Sequence, residues 1–160
     1  MEEPLVIRSM GTEDLDEVGR MAGALVRFHH ALDARRFLLL DGVEKGYRRY
    51  FESQLGHPET FLLVATRGDR IVGYAYARLE SRDWNALLDA HGALHDIFVD
   101  AGARRAGVAS ALLDEVRNRL SAAGAPRIVL STAVQNESAQ RLFERHGFRR
   151  TMLEMTKELP

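Results

Sequence analysis

The stretch Leu94-His95-Asp96-Ile97-Phe98-Val99-Asp100-Ala101-Gly102-Ala103-Arg104-Arg105-Ala106-Gly107-Val108-Ala109-Ser110 runs from an apolar strand, through a loop of small residues, straight into a helix. Leu94 to Val99 reads as the strand, and Val108 to Leu120 as an amphipathic helix burying Leu112, Leu113, Val116 and Leu120. The first amides of a helix lack intrahelical partners, and its dipole adds about 0.3 to 1 kcal/mol for nearby negative charge. A strand that feeds such a terminus therefore builds an anion site. Gly107 and Ala109 are small enough to let a diphosphate approach the backbone there.

Upstream, Phe61 to Thr66 and Ile71 to Leu79 predict two strands, joined through Arg67-Gly68-Asp69-Arg70 as an antiparallel hairpin. Leu5 to Ile7 predicts a short strand. Gly11-Thr12 and the acidic Glu13-Asp14 then open a helix whose apolar residues Leu15, Val18, Met21, Ala22, Leu25 and Phe28 recur at helical spacing. A second helix is expected over Val43 to Leu55, stopped by Gly56-His57-Pro58. Trp84 to His91 fits a loop with a helical turn. Downstream, Arg127 to Thr132 predicts a strand, Ser138 to His146 a short helix, and Phe148 to Thr156 a final strand. An antiparallel hairpin beside strand-helix-strand units predicts an α/β or α+β sheet covered by helices.

With 160 residues, 46% of them hydrophobic, the chain suits one domain over 1–160 with one buried core. Its 22 Lys and Arg nearly balance 23 Asp and Glu, so no bulk field favours nucleic acid or an anionic membrane. The absence of cysteine removes thiolate nucleophiles, disulfides and the usual structural zinc sites. The six histidines lack the spacing of a metal motif such as His-Glu-x-x-His, so no metal is expected. No apolar run approaches the roughly 18 residues of a membrane span and no leader-like segment opens the chain, so a cytoplasmic protein is expected.

Neither Gly-x-Gly-x-x-Gly nor Gly-x-x-x-x-Gly-Lys-Ser/Thr occurs, which removes the main support for dehydrogenase and nucleoside triphosphatase readings. Arg104-x-x-Gly107-x-Ala109 instead resembles the Arg/Gln-x-x-Gly-x-Gly/Ala signature of the Gcn5-related N-acetyltransferase (GNAT) superfamily. Asn136-Glu137-Ser138-Ala139, followed by Phe143 and Gly147-Phe148, resembles the family's downstream Asn-x-x-Ala-x-x-x-Tyr/Phe-x-x-x-Gly-Phe segment. The resemblance spans Phe61 to the carboxyl terminus. It implies a mixed, mostly antiparallel sheet of six to seven strands, about four flanking helices, and a splayed strand pair that receives acetyl-CoA. It further implies that the backbone of Ile97, Phe98 and Val99 pairs with pantetheine, and that Arg104, Arg105, Ala106, Gly107, Val108, Ala109 and Ser110 hold the diphosphate. Asn136 and Phe143 would line the opposite wall. Family members often dimerise, and the strand after Phe148 would be free to pair across an axis.

The chemistry so implied is direct transfer of acetyl from acetyl-CoA to an amine, with CoA as product. An alkylammonium with a pKa near 10.4 is neutral in about one molecule in 2,500 at pH 7, a deficit of roughly 4.6 kcal/mol that a base must offset. Asp96 interrupts the apolar strand and is the leading base or ammonium anchor; strand alternation sends His95 to the opposite face. Glu80, at the end of the preceding strand, is the third catalytic candidate. Many relatives carry Tyr where this chain has Phe143, which has no proton to give a leaving thiolate. The acceptor pocket is expected between the early helices and the loop joining the third and fourth strands. His29, His30, Asp33, Glu44, Tyr47, Glu80, Asp83, Trp84 and Asp89 bring carboxylates and aromatics there, which suits a small cationic amine or polyamine. A peptide or protein amine satisfies the same chemistry. The rival is a non-catalytic acyl-CoA-binding sensor.

Overall fold

The computed structural model describes residues 3–160. Strands β1 (Leu5–Ser9), β2 (Thr60–Arg67), β3 (Arg70–Glu80), β4 (His91–Val99) and β5 (Ile128–Leu130) form one sheet in sequential order. The first four pair antiparallel, and β5 runs parallel to β4. Helices α1 (Leu15–Leu32), α2 (Val43–Gln54), α3 (Val108–Ala122) and α4 (Glu137–Arg145) complete the chain, with a 3-10 turn at Thr12–Asp14 before α1 and another at Ala101–Ala103 before α3.

Helices cover both faces of the sheet. On one, Met21, Val18 and Leu15 of α1 and Phe51 of α2 bury Leu62, Val64, Tyr74 and Tyr76; on the other, Leu112, Val116 and Leu120 of α3 bury Leu63, Ala65, Ala75 and Ala77. This explains why Phe61 to Thr66 is apolar without alternation: consecutive residues of β2 face opposite cores, and neither face meets water. Small residues in β3 and β4 let α3 sit close. A Cβ on Gly92 would come within 2.8 Å of Leu120 Cδ1.

The entry to α1 is fixed by charge. Asp14 accepts from Arg8 at 2.6 and 2.9 Å and from the Gly11 amide at 2.8 Å, and its side chain is almost fully covered. The Arg8 guanidinium holds its carboxyl below the usual range, against the opposing effect of burial.

Two expectations need correction. Among the described residues the sheet has five strands, not six to seven, and Phe148 to Thr156 takes no strand partner there. The final segment has strand composition, but composition does not supply a neighbour. His95 also does not face away from Asp96. The β3–β4 register steps from Tyr76↔Asp96 to Ala77↔Leu94, leaving His95 as a bulge residue, so the alternation slips by one and both side chains emerge on the α1–α2 face.

Candidate active site

β4 and β5 pair only through Gly92↔Ile128, Ala93↔Val129 and Leu94↔Leu130. Beyond that point they part, and Ile97, Phe98 and Val99 remain paired to β3 alone. Their other backbone edge is the one that the family resemblance would give to pantetheine. The chain then turns through Ala101–Ala103 into Gly107, whose φ of +77° is the left-handed geometry glycine adopts without strain. No heavy atom lies within 4 Å of a Cβ built there. The first bond of α3 runs from the Ala111 amide to the Gly107 carbonyl, so the amides of Val108, Ala109 and Ser110 precede the intrahelical ladder.

This cradle fits a diphosphate: open space at Gly107, helix-start amides, and exposed Arg104, Arg105 and Ala106 around it. Arg104 Nε donates to the Val99 carbonyl at 3.1 Å, and Arg105 itself has a φ of +62°. The Ser110 hydroxyl lies 3.0 Å from His146 Nε2, which ties α3 to α4. Asn136 caps α4 by accepting from the Ala139 amide at 3.2 Å. Phe143 is buried with its ring 5.8 Å from that of Phe148.

The candidate catalytic residues gather beside the splay. His95 Nε2 is 2.8 Å from Glu80 Oε1, and the His95 ring stacks on Tyr76 at 4.9 Å. A carboxylate only accepts, so Nε2 carries the proton in this pair and Nδ1 of a neutral ring is left as the acceptor. Asp96 is half-buried and takes a hydrogen bond from the Tyr74 hydroxyl at 3.0 Å. Burial raises its carboxyl above the usual range, while Tyr74 and the neighbouring His95 and His29 pull the other way. Tyr47 of α2 is pushed up to about 12 by burial and then by the charge of Asp96.

Two neighbours escape sequence inspection. Tyr50 reaches the Tyr76 hydroxyl at 2.6 Å, and Arg78, 3.7 Å from Glu80, has a buried Nε without a hydrogen-bond partner. The available signal was β3 alternation, which sends 74, 76, 78 and 80 to one face.

Glu80, Asp83, Trp84, Asn85, His91 and His95 border an open cavity of about 560 Å³. Trp84 is 74% exposed, and the Arg82 guanidinium lies over its ring while pairing with Asp89 at 2.9 Å. Of the other acceptor-side candidates, His29 and Tyr47 approach Asp96, whereas Glu44 pairs with Arg27, His30 bonds the Phe37 carbonyl and Asp33 caps the turn at Arg35. A larger depression, about 930 Å³, opens between β1 and the β2–β3 turn, but its walls are charged residues such as Arg8, Glu17 and Asp69 and include none of the candidate catalytic residues. Among the described residues, no three His, Asp or Glu side chains converge as a metal site requires, and no helix is long and apolar enough to cross a membrane.

The sequence profile of the acetyltransferase (GNAT) family matches residues 28–148. Similar solved structures include three that align over nearly their whole length. A transcriptional regulator from Bacillus halodurans C-125 aligns at TM-score 0.75 and 22% identity, covering 98% of this chain and 100% of its own. An aminoglycoside N-acetyltransferase in complex with CoA aligns at 0.80 and 19%, covering 99% and 97%. A probable acetyltransferase aligns at 0.70 and 25%, covering 98% and 97%. No protein of curated function matches in sequence.

Proposed function

The chain belongs to the acetyltransferase (GNAT) family, and from that premise we propose that it transfers acetyl from acetyl-CoA to a primary amine, with His95 as the base. The observation that carries the proposal is the Glu80–His95 pair standing beside the point where β4 and β5 separate.

Acetyl-CoA, when bound, supplies a thioester open to attack by a neutral amine. The helix-start amides of Val108, Ala109 and Ser110, with Arg104, Arg105, Ala106 and Gly107, would hold its diphosphate. The edge of Ile97, Phe98 and Val99 that has no strand partner would hold pantetheine as an added strand is held. The cap that Asn136 makes keeps α4 in place, and Phe143 gives that wall apolar bulk. Glu80 fixes the His95 tautomer, Tyr76 fixes the ring plane, and Nδ1 takes the ammonium proton; the second proton, shed as the amide forms, reaches the departing thiolate through solvent, since Phe143 has none to give. Asp96 supplies negative charge that attracts the cation before it is deprotonated. No cysteine exists to form an acyl-enzyme.

The carboxylates of Glu80 and Asp83 with the exposed Trp84 indole support a small cationic amine or polyamine as acceptor. A peptide or protein amine satisfies the same proton chemistry. The direct test is thiol release from acetyl-CoA against polyamines, amino acids, aminoglycosides and peptides, with acetyl-CoA binding measured alongside. Amine-dependent release supports the enzyme and narrows its acceptor. Binding without turnover across the panel supports a sensor instead, and absence of binding overturns both.

A further inference from the structure

Arg78 of β3 is a cation held where a cation is costly. Only 26% of its side chain is exposed, and its buried Nε meets no hydrogen-bond acceptor. Burial disfavours its charge, yet Tyr50, Glu80 and Tyr76 more than restore it, so the guanidinium stays ionised. Its carboxylate partner is Glu80, with Nε 3.7 Å from Oε1. That same oxygen accepts from His95 Nε2 at 2.8 Å. One carboxylate oxygen thus stands between a confined cation and the ring of the proposed base.

Glu80 has few other restraints. It ends β3, its side chain is one-third exposed, and among the described residues its side-chain partners are Arg78 and His95. Arg78, by contrast, is boxed in. The hydroxyls of Tyr50 and Tyr76, 2.6 Å apart, lie beside it, and the Tyr76 ring stacks on His95. The neighbouring charges are engaged elsewhere. Asp96 accepts from the Tyr74 hydroxyl, and Tyr47 of α2 and His29 of α1 approach Asp96. Across the cavity, Asp83 accepts from the Asn85 and Ala86 amides, and His91 bonds the Asp89 carbonyl.

We propose that Arg78 is a positioning residue: it holds the Glu80 carboxylate against His95 and thereby selects the ring tautomer that carries its proton on Nε2. With Arg78 gone, the Glu80 carboxylate is free to turn into solvent, where it is better hydrated. His95 Nε2 then loses its acceptor, and the proton distributes over both ring nitrogens. Nδ1 is bare in only part of the molecules, and a ring protonated there cannot take the ammonium proton at that atom. The inference rests on the reading of His95 as the base of an acetyl transfer, but the hold on the tautomer is measurable without turnover.

Ring nitrogen-15 spectra at alkaline pH, where imidazole is neutral, report which nitrogen carries the proton, and His95→Gln identifies the His95 signals among the six histidines. The wild-type ring should be protonated at Nε2 and bare at Nδ1. Arg78→Met should give mixed tautomers and lower kcat for the amine by roughly 2- to 100-fold, the span shown by coupled neighbours, with acetyl-CoA binding unchanged. Arg78→Lys should recover most of both, since an ammonium keeps the charge on a long stem. Adding Arg78→Met to Glu80→Gln should cost nothing further, because Arg78 acts through Glu80. If the Met variant does not fold, Arg78→Gln, which can still meet the tyrosine hydroxyls, takes its place. A folded Arg78 variant without the cation that keeps the wild-type tautomer would overturn the proposal, as would a full additional loss in the double variant. If the wild-type protein releases no thiol with any amine, the acetyl-transfer reading falls, and the tautomer spectra alone decide the role of Arg78.

Discussion

His95 Nε2 lies 2.8 Å from Glu80 Oε1, and a bulge in β4 puts Asp96 on the face that the two share. Leu94 packs against α3, so without the bulge alternation would keep His95 beside Glu80 and turn Asp96 toward α3. The pair has the form of an oriented base: a carboxylate that holds one ring nitrogen and leaves the other to accept a proton.

Replacing His95 by Ala should lower kcat/KM for the amine by about 10²- to 10⁴-fold, the usual range for loss of a general base, with acetyl-CoA affinity little changed. Glu80→Gln should cost less, since the ring remains while its preferred tautomer is lost. Steady-state kinetics with a parallel binding titration separate the two. Full activity in His95→Ala would remove His95 from the mechanism.

Asp96→Asn should leave stability at neutral pH unchanged or raised while weakening the KM for a cationic amine. Burial raises the Asp96 carboxyl pKa, so ionisation opposes folding above that pKa. The loss begins as pH rises past the unfolded pKa near 4 and is complete above the folded value; below the unfolded pKa both states are protonated, and the pH-dependent part of the difference between variant and wild type should vanish. Thermal melts from acid to neutral pH check the sign, and a variant less stable at pH 7 than at pH 4 relative to wild type would contradict it.

Gly107→Asp should abolish detectable acetyl-CoA binding by adding a carboxylate to the helix-start anion site, together with left-handed strain of about 1–2 kcal/mol. Gly107→Ala carries the strain without the charge and serves as the control. Calorimetry on both, with a melt to verify folding, distinguishes repulsion from collapse of the loop.

Asp14→Asn should destabilise the fold by about 1–3 kcal/mol at pH 7, because Arg8 and the Gly11 amide lose their shared acceptor charge. The Asp14 carboxyl is depressed, so its contribution is present above the unfolded pKa near 4 and disappears as pH falls through the folded value. Denaturant unfolding at pH 7 and pH 3 should give a gap that narrows in acid. A constant gap would mean the effect is packing alone.

Much of the fold was legible in order along the chain. The β2–β3 hairpin, the amphipathic α3 and the strand-loop-helix passage through Gly107 rest on local patterns, and local geometry honours them within a few residues. The helix start at Gly107, to which the sequence reading gives a diphosphate, was legible for the same reason: a small residue that turns the chain into a helix is a property of neighbours in sequence. The family itself followed from two short motifs.

Tertiary structure decided the rest. Whether His95 and Asp96 share a face depends on a bulge, and a bulge arises from the register of two strands, which no single strand encodes. Tyr50 joins the site only because α2 packs across β3. The final strand shows the limit most plainly. Thr151 to Thr156 carries a strand's composition, but a strand exists by pairing with a neighbour, and its own sheet leaves it without one.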